Sequence, residues 1–388
     1  MFFGMLISTI GSSMIWPFLM IYVRQRVNLP LVQVASLMTI NAASALIAAF
    51  IAGPIIDRIG RKWVMVFSLV GNGVVYFFMS NADSYLSFAV LMTLSGAFNP
   101  LYRVGADAML ADMIPHEKRP DAYAIMRLSN NAGISIGPMV GGFISSLSFS
   151  ITFYCAGIGM LIYGLLLAFF AHETLPIRSD ASNNPLKLMG GYLQVLRDSQ
   201  FLSFVGAFIL VQMCAVLMWI LMPVYANGTY NVPESQYGFI PTTNALMVVF
   251  LQVFVTRITK RNRPLPVMVI GAIFYAFGVG SVAFGHSFTG FLISMIIMTI
   301  GELILMPTVS TYVAALAPPD MRGRYMSVAG LTWSAAAGIG PLIGGFLNDN
   351  VAPVATWYGG FFVGILGILG FLILSRKQPV VQPSVLSD

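Results

Sequence analysis

Long apolar stretches constrain this chain more than any other feature. Twelve of them, each near the length of a membrane-spanning helix, fill most of the 388 residues. Only 9% of the residues are charged, against about 25% in a soluble globular protein. Lipid-embedded backbone satisfies its hydrogen bonds only in helices or closed barrels, and these runs do not alternate with a period of two. The sequence therefore predicts an all-α membrane protein with twelve transmembrane helices.

Positive charges are spread unevenly over the predicted loops. If the N-terminus is cytoplasmic, sixteen of the 20 lysines and arginines fall in inward loops or the tail. The outward loops then hold only Arg24 and Arg26. Because cytoplasmic loops are enriched in positive charge, we expect a multi-pass protein of the cell membrane, a bacterial inner membrane, with both termini cytoplasmic. The same bias explains the net charge of +6, so no nucleic-acid partner is predicted.

A six-residue phrase occurs twice, 203 positions apart. It reads GPMVGG at 137–142 and GPLIGG at 340–345, inside two apolar stretches. Internal repeats of this kind are common in secondary transporters. We predict two six-helix bundles that face the same way. The chain is divided into a first bundle (1–171), a cytoplasmic linker (172–200), a second bundle (201–377) and a cytoplasmic tail (378–388).

A basic loop follows the second predicted span. It reads GPIIDRIGRK over 53–62 and sets three cations beside one carboxylate. It matches G-x-x-x-D-R-x-G-R-K, the signature loop of the major facilitator superfamily, which the chain resembles over all twelve spans. The resemblance implies the two-bundle fold of that family and transport by alternating access. The matching residues, expected to act in gating, are Gly53, Asp57, Arg58, Gly60, Arg61 and Lys62.

The resemblance also implies specific contacts for this loop. In the family the loop carboxylate lies near the start of the eleventh helix, so Asp57 is expected close to Gly323. The partial positive charge of a helix N-terminus favours an acid there. Arg61 is expected to pair with Asp112 at the inner end of span 4. The second half has Lys260 where the first has Asp57, so this latch should be one-sided.

The first copy of the repeated phrase is preceded by another glycine, four residues upstream. Small residues four apart let helices approach closely, and a proline inside a helix introduces a kink, so close packing explains part of the pattern. The phrase in span 5 also resembles the motif of antiporter branches of the superfamily, especially drug/proton exchangers. The second copy has Ala336 in the leading position and is interpreted as its structural echo. The residues concerned are Gly133, Gly137, Pro138, Gly141 and Gly142, then Gly340, Pro341, Gly344 and Gly345.

Ionisable residues inside the predicted spans are candidates for proton coupling, because charge within the bilayer is costly. Glu302 has no cation within one helical turn, and burial disfavours the charged form of a carboxyl group. It is either the proton carrier or a neutral, hydrogen-bonded packing residue. Arg103 and Asp107 lie four apart on one helix face and can pair. They form either a neutral structural pair or a coupling site in which Arg103 tunes Asp107.

Polar and aromatic residues in the spans are candidates for the substrate cavity. The amides either line a cavity or join helices; they are Asn130, Asn131, Gln212 and Asn244. The aromatic and methionine candidates fall in spans that line the central cavity in the superfamily, and they suit an adaptable apolar pocket. These are Trp16, Tyr102, Trp219, Met306 and Trp333.

The sequence holds no Walker loop, no nucleophile–base constellation and no metal-ligand cluster, so neither an enzyme nor a cofactor or metal is predicted. We expect a monomeric secondary transporter that exports drugs or other small amphipathic molecules in exchange for protons. One alternative is an exporter or facilitator of a single metabolite or sugar, because span 1 lacks the acid of many drug exchangers. Another is a receptor or scaffold that transports nothing.

Overall fold

The computed structural model describes residues 2–175, 194–318 and 321–377. Within those ranges it contains fifteen α-helices, two short 3-10 turns and no strand. Residues 176–193 of the predicted linker and the predicted tail lie outside the described residues. The helices are α1 (Phe2–Ile15), α2 (Leu19–Val27), α3 (Leu31–Ile59), α4 (Arg61–Met79), α5 (Tyr85–Met113), α6 (Arg119–Leu147), α7 (Phe149–Phe170), α8 (Ser199–Ile220), α9 (Met222–Tyr230), α10 (Glu234–Tyr237), α11 (Phe239–Thr259), α12 (Pro264–Ser281), α13 (Phe288–Leu316), α14 (Arg322–Asn350) and α15 (Ala355–Lys377).

The helices are long enough to cross a bilayer. Among the described residues nine are sufficiently long and apolar, and a tenth span results if α1 and α2, bent by 42°, count as one. The helices α5 and α6 have 29 residues each and fall outside that group because charged and amide side chains interrupt their apolar surface. Together these segments are consistent with the twelve predicted spans.

The two halves of the chain repeat each other without a shift in register. Helices α5 and α6 recur as α13 and α14 with the same 29-residue length, and each starts 203 positions later. The short helices α2 and α9 both end at an asparagine with positive φ, Asn28 at 50° and Asn231 at 52°. These asparagines are also 203 positions apart. The repeat therefore extends to the geometry of individual turns.

Within each half the repeated glycines bring two helices together. Gly133, Gly137 and Gly141 of α6 face α1, and a Cβ at Gly141 would overlap the backbone of Met14. In the second half α14 lies along α8 in the same way, with Gly340 facing Met213. Since glycine has no side chain, the helix backbones approach closely. Helices α1–α7 form what we call the first bundle, and α8–α15 form the second bundle.

The last glycine of each phrase contacts the other bundle. Gly142 packs against the backbone of Glu234 at the start of α10, and a Cβ on Gly345 would lie 2.8 Å from the Cα of Val32 in α3. Hydrogen bonds accompany both contacts. The Thr39 hydroxyl donates to the carbonyl of Gly338 over 2.6 Å, and the Thr242 hydroxyl donates to the carbonyl of Ser135 over 2.9 Å. The two bonds are equivalent at the 203-residue offset.

The bundles meet at one end and separate at the other. We call the end with the turns at Asn28 and Asn231 the outer end, and the end with Gly60 the inner end. The side-chain hydrogen bonds between bundles, among the described residues, run from the middle of the molecule to the outer end. At the inner end Asp57 has a side chain 60% exposed, and Gly323 at the start of α14 has open space around it. The bundles are therefore in contact at the outer end and apart at the inner end.

The turn between α3 and α4 is built on Gly60. Its φ of 108° and ψ of 154° belong to a backbone region that is essentially restricted to glycine. The carboxylate of Glu173, beyond the end of α7, accepts the backbone N–H groups of Arg61 (2.9 Å) and Lys62 (3.1 Å). It thus caps the free N–H groups at the start of α4, which otherwise have no partner in the helix. A Cβ on Gly60 would collide with that carboxylate.

Replacing Gly141 with alanine is expected to destabilise the first bundle. The added methyl group meets the backbone of α1 at Met14 rather than a movable side chain, and overpacking of this kind costs about 1–3 kcal/mol. The matched control is Gly330→Ala, because nothing lies within 4 Å of a Cβ at Gly330. The midpoint of thermal unfolding in detergent should fall for Gly141→Ala and stay level or rise for Gly330→Ala. Equal midpoints would contradict the close packing of α1 and α6.

Replacing Gly60 with alanine is expected to weaken the inner turn. Alanine in this backbone region costs about 1–3 kcal/mol, and displacement of the Glu173 cap adds about 1 kcal/mol. Gly53→Ala is the control, because Gly53 is helical and has open space around it. Thermal unfolding should show a lower midpoint for Gly60→Ala only. If both variants melt together, the turn does not require glycine.

Candidate functional site

A cavity of about 590 Å³ lies between the two bundles. Its lining comes from both halves of the chain and combines aromatic rings, methionines, amides and hydroxyl groups. Glu302 is the only Asp, Glu, Lys, Arg or His among the described lining residues. The cavity brings together ten of the residues singled out from the sequence: Trp16, Tyr102, Asn130, Asn131, Pro138, Trp219, Asn244, Glu302, Met306 and Trp333.

Opposite walls of the cavity are related by the internal repeat. Trp16, directly after α1, and Trp219 on α8 are 203 positions apart, and both line the cavity. At other equivalent positions the chemistry differs, since Asn99 in the first half corresponds to Glu302 in the second. Hydroxyl groups of α1, Ser8 and Thr9 among them, add to the amide-rich first wall. The site is therefore symmetric in shape and asymmetric in charge.

The carboxylate of Glu302 is held by its neighbours on α11 and α13. The amide nitrogen of Asn244 donates to Glu302 Oε2 over 2.8 Å and to the hydroxyl of Thr299 over 2.9 Å. Asn244 is 4% exposed and Thr299 is fully buried. Among the described residues no Lys, Arg or His lies within ion-pair distance of Glu302. The cavity wall thus holds one oriented carboxylate without a counter-ion.

Gln212 does not line the cavity, contrary to one of the two predictions made for it. It lies inside the second bundle with 4% of its surface exposed, and its carbonyl oxygen has no hydrogen-bond partner in the described structure. Helix α8 packs against α12, α14 and α15, and its residues 211–218 around Gln212 are all buried. Because every face of α8 is covered there, a polar residue on it does not mark the cavity.

Arg103 and Asp107 do not form the predicted pair. No ion pair within 4.0 Å joins them in the described structure. Both residues are exposed, and neither lines the cavity. Asp107 lies six residues before the end of α5, about 9 Å along the helix, near the inner end. Exposed charges gain little from pairing, and a four-residue spacing on a helix permits the contact without enforcing it.

The signature loop is organised around Arg61. Its side chain is 11% exposed and lies between two carboxylates, with Nε 3.0 Å from Asp112 Oδ2 and Nη2 3.6 Å from Asp57 Oδ1. The hydroxyl of Thr174 also donates to Asp112 Oδ2 over 3.1 Å. The structure thus brings together the loop, the inner end of α5 and the segment after α7.

Asp57 and Gly323 are not brought together. Asp57 pairs with Arg61 in its own bundle, and no hydrogen bond from α14 reaches it among the described residues. The expected contact is therefore not made in this structure, and the physical reason is that the inner ends of the two bundles are apart.

Several polar residues of the site were not predicted from the sequence. Asn72 and Asn99 line the cavity from the first bundle, and Tyr275 lines it from the second. The carbonyl oxygen of Asn72 is buried without a hydrogen-bond partner in the described structure. The internal repeat carried a signal for Asn99, because it is the position equivalent to Glu302. Within the described ranges no group of three His, Cys, Asp or Glu residues is placed to hold a metal ion.

Comparison with known proteins agrees with this geometry. The chain is 28% identical to a Na(+), Li(+), K(+)/H(+) antiporter of Planococcus maritimus, over 93% of this chain and 90% of the relative. It is 22% identical to the multidrug resistance protein MdtH of Cronobacter sakazakii, over 87% of this chain and 83% of the relative. The structure of the nucleoside transporter NupG superposes with a TM-score of 0.80 at 12% identity, over 96% of this chain and 98% of that chain.

A family model accounts for nearly the whole sequence. The model of the Major Facilitator Superfamily matches residues 1–264 and 210–386. The all-helical fold, the two bundles and the central cavity agree with that match. The chain belongs to the major facilitator superfamily and is a multi-span membrane transporter, not an enzyme.

Proposed function

We propose that this transporter exports small amphipathic organic molecules, cationic ones above all, in exchange for protons. The observation that carries the proposal is the position of Glu302, the one carboxylate among the described residues of an otherwise uncharged cavity wall. A lone carboxylate attracts either a proton or a positively charged substrate. Binding of one lowers the affinity of the carboxylate for the other, and antiport requires this competition.

The size and lining of the cavity support an organic substrate. A volume of about 590 Å³ falls within the range of about 300–1,000 Å³ that is typical of small-molecule sites. Trp16, Trp219 and Trp333 offer ring faces that can receive apolar groups and cations. A bare alkali-metal ion would leave most of this volume unfilled.

Asn244 supports the exchange by fixing the carboxylate. Its amide donates to Glu302, and its second hydrogen bond to the buried Thr299 holds the amide in place. Protonation of Glu302 removes the negative charge that attracts a cationic substrate. Release of the proton on the other side of the membrane restores the negative charge. Each half of the transport cycle therefore carries either a proton or a substrate molecule.

The names of two relatives are compatible with this proposal. One relative is described as a multidrug resistance protein, and another as an antiporter that exchanges protons for Na(+), Li(+) or K(+). The second relative also raises a second candidate function, exchange of a monovalent metal cation. The oxygen atoms of Glu302, Asn244 and Thr299 are ligands that hard cations prefer.

Gating is proposed to use the loop of residues 53–62. We assign this structure, which is open at its inner end, to the inward-open state, in which Arg61 holds Asp57 and Asp112 within the first bundle. When the inner ends close, Asp57 moves to the start of α14, where the helix dipole favours a carboxylate. In the proposed orientation the inner end faces the cytoplasm of a bacterial cell.

Glu302→Gln is expected to abolish proton-coupled exchange. Glutamine keeps an oxygen that can accept a hydrogen bond from Asn244, yet it cannot bind and release a proton in the physiological pH range. Substrate-driven proton release from proteoliposomes, followed with an internal pH dye, should fall to the level of empty liposomes. Asp107→Asn is the control and should retain wild-type exchange, because Asp107 lies outside the cavity.

Two results of that experiment would contradict the proposal. Wild-type exchange by Glu302→Gln would remove Glu302 from coupling, and loss of exchange in Asp107→Asn alone would transfer the role to α5. The same assay separates the two candidate functions. A pH response to lipophilic organic cations supports drug export, and a response to Na⁺, Li⁺ or K⁺ alone supports metal-cation exchange.

Exchange of an organic monocation is expected to be insensitive to membrane potential. One proton for one monovalent cation moves no net charge, so only the pH difference drives the cycle. A potential of 100 mV clamped with valinomycin and K⁺ should leave the steady accumulation of substrate unchanged. Movement of one net charge would instead change the accumulation ratio about fiftyfold, since 100 mV is worth about 2.3 kcal/mol per charge. A change of that size would contradict the single-carboxylate stoichiometry.

A further inference from the structure

A carboxylate crosses between the bundles at the outer end. Oδ2 of Asp349, in the last turn of α14, accepts the backbone N–H of Val32 over 2.7 Å. Val32 lies in the first turn of α3, whose N-cap residue Pro30 provides no side-chain hydrogen bond. The N–H groups at a helix start need an acceptor from elsewhere. Asp349 provides one from the opposite bundle, and its negative charge suits the helix dipole.

The packing of α14 explains why Asp349 reaches α3. Gly345 lies one helical turn before Asp349, on the same face, and a Cβ there would lie 2.8 Å from the Cα and 2.9 Å from the nitrogen of Val32. This close approach sets the backbone of α14 directly against the start of α3. The carboxylate of Asp349 therefore arrives at the N–H of Val32 only while the outer ends are in contact.

The repeat shows that this contact occurs on one side only. The residue equivalent to Asp349 in the first half is Ser146 on α6. Its hydroxyl donates to the carbonyl of Phe143 in its own helix over 2.7 Å. Gly142 still packs against the start of α10, so the backbone contact is duplicated while the carboxylate is not.

We propose that Asp349 is an outer latch, a positioning residue that holds the outer end of the transporter closed in the inward-open state. When the outer ends separate, the carboxylate and the N–H of Val32 both return to water, and the stabilisation that they gave is lost. The latch acts on the balance between the two states and touches no substrate. It therefore goes beyond the proposed function and stands whatever the substrate is.

Removal of the latch is expected to favour the outward-open state. Loss of a side-chain acceptor at a helix start typically costs the equivalent of a fivefold change in an equilibrium constant. Asp349→Ala should therefore increase the ratio of outward-open to inward-open molecules about fivefold. Asp349→Asn keeps an oxygen acceptor without the charge and should shift the ratio in the same direction by less. Ser146→Ala, at the equivalent position of the other half, should leave the ratio unchanged.

The ratio can be measured directly with spin labels on the outer loops. The labels are attached to cysteines introduced at Asp83 in the first bundle and Ser287 in the second, both exposed. The native thiols are removed as Cys155→Ser and Cys214→Ala. Pulsed electron paramagnetic resonance on the full chain in lipid nanodiscs, without substrate, gives the distance distribution between the outer ends. The long-distance fraction should grow in the order wild type, Asp349→Asn, Asp349→Ala.

The outcomes distinguish a latch from a merely structural residue. An unchanged distribution in Asp349→Ala, in protein that elutes as wild type from a sizing column, would overturn the proposal. So would an equal shift in Ser146→Ala. If Asp349→Ala does not fold, Asp349→Asn decides: a larger long-distance fraction supports the latch, and a wild-type fraction overturns it. Because no transport is measured, failure here is distinct from failure of the Glu302 assignment.

Discussion

The contact between a glycine and the first turn of a helix in the opposite bundle is the interaction on which the rest of this structure depends. It occurs twice, at Gly142 and at Gly345. Lipid gives apolar helices little reason to associate, so close backbone packing and hydrogen bonds must hold the bundles together. These two contacts close the outer end, leave the cavity between the bundles and allow the threonine hydrogen bonds to form. The cavity exists because the bundles touch there and separate toward the inner end.

Symmetry in shape combines with asymmetry in chemistry. The two halves share helix lengths, turn geometry and cavity tryptophans at a fixed offset of 203 residues. The functional groups break that equivalence. Glu302 corresponds to Asn99, Lys260 to Asp57, and Asp349 to Ser146. A duplicated scaffold can therefore carry one carboxylate in the cavity and one at each end of the interface.

The sequence allowed the fold and much of the cavity to be predicted. The apolar runs predicted the helices, and the loop of residues 53–62 indicated the family. Because certain spans line the cavity in that family, Trp16 and Trp333 could be predicted as cavity residues. Gln212 could not be placed, because its burial depends on three helices that surround α8. The capping of α4 by Glu173 was equally hidden, since it joins positions more than a hundred residues apart. Local pattern identifies which residues are unusual, and tertiary packing decides which way they face.

The length of α14 has a mechanical consequence. Its 29 residues form a rod of about 43 Å, with the proposed partner of Asp57 at one end and Asp349 at the other. If this rod tilts by about 10° around its middle, each end moves about 4 Å in opposite directions, given a rise of 1.5 Å per residue. That displacement exceeds the range over which a hydrogen bond survives. When α14 tilts as one unit, contact at one end therefore goes with separation at the other.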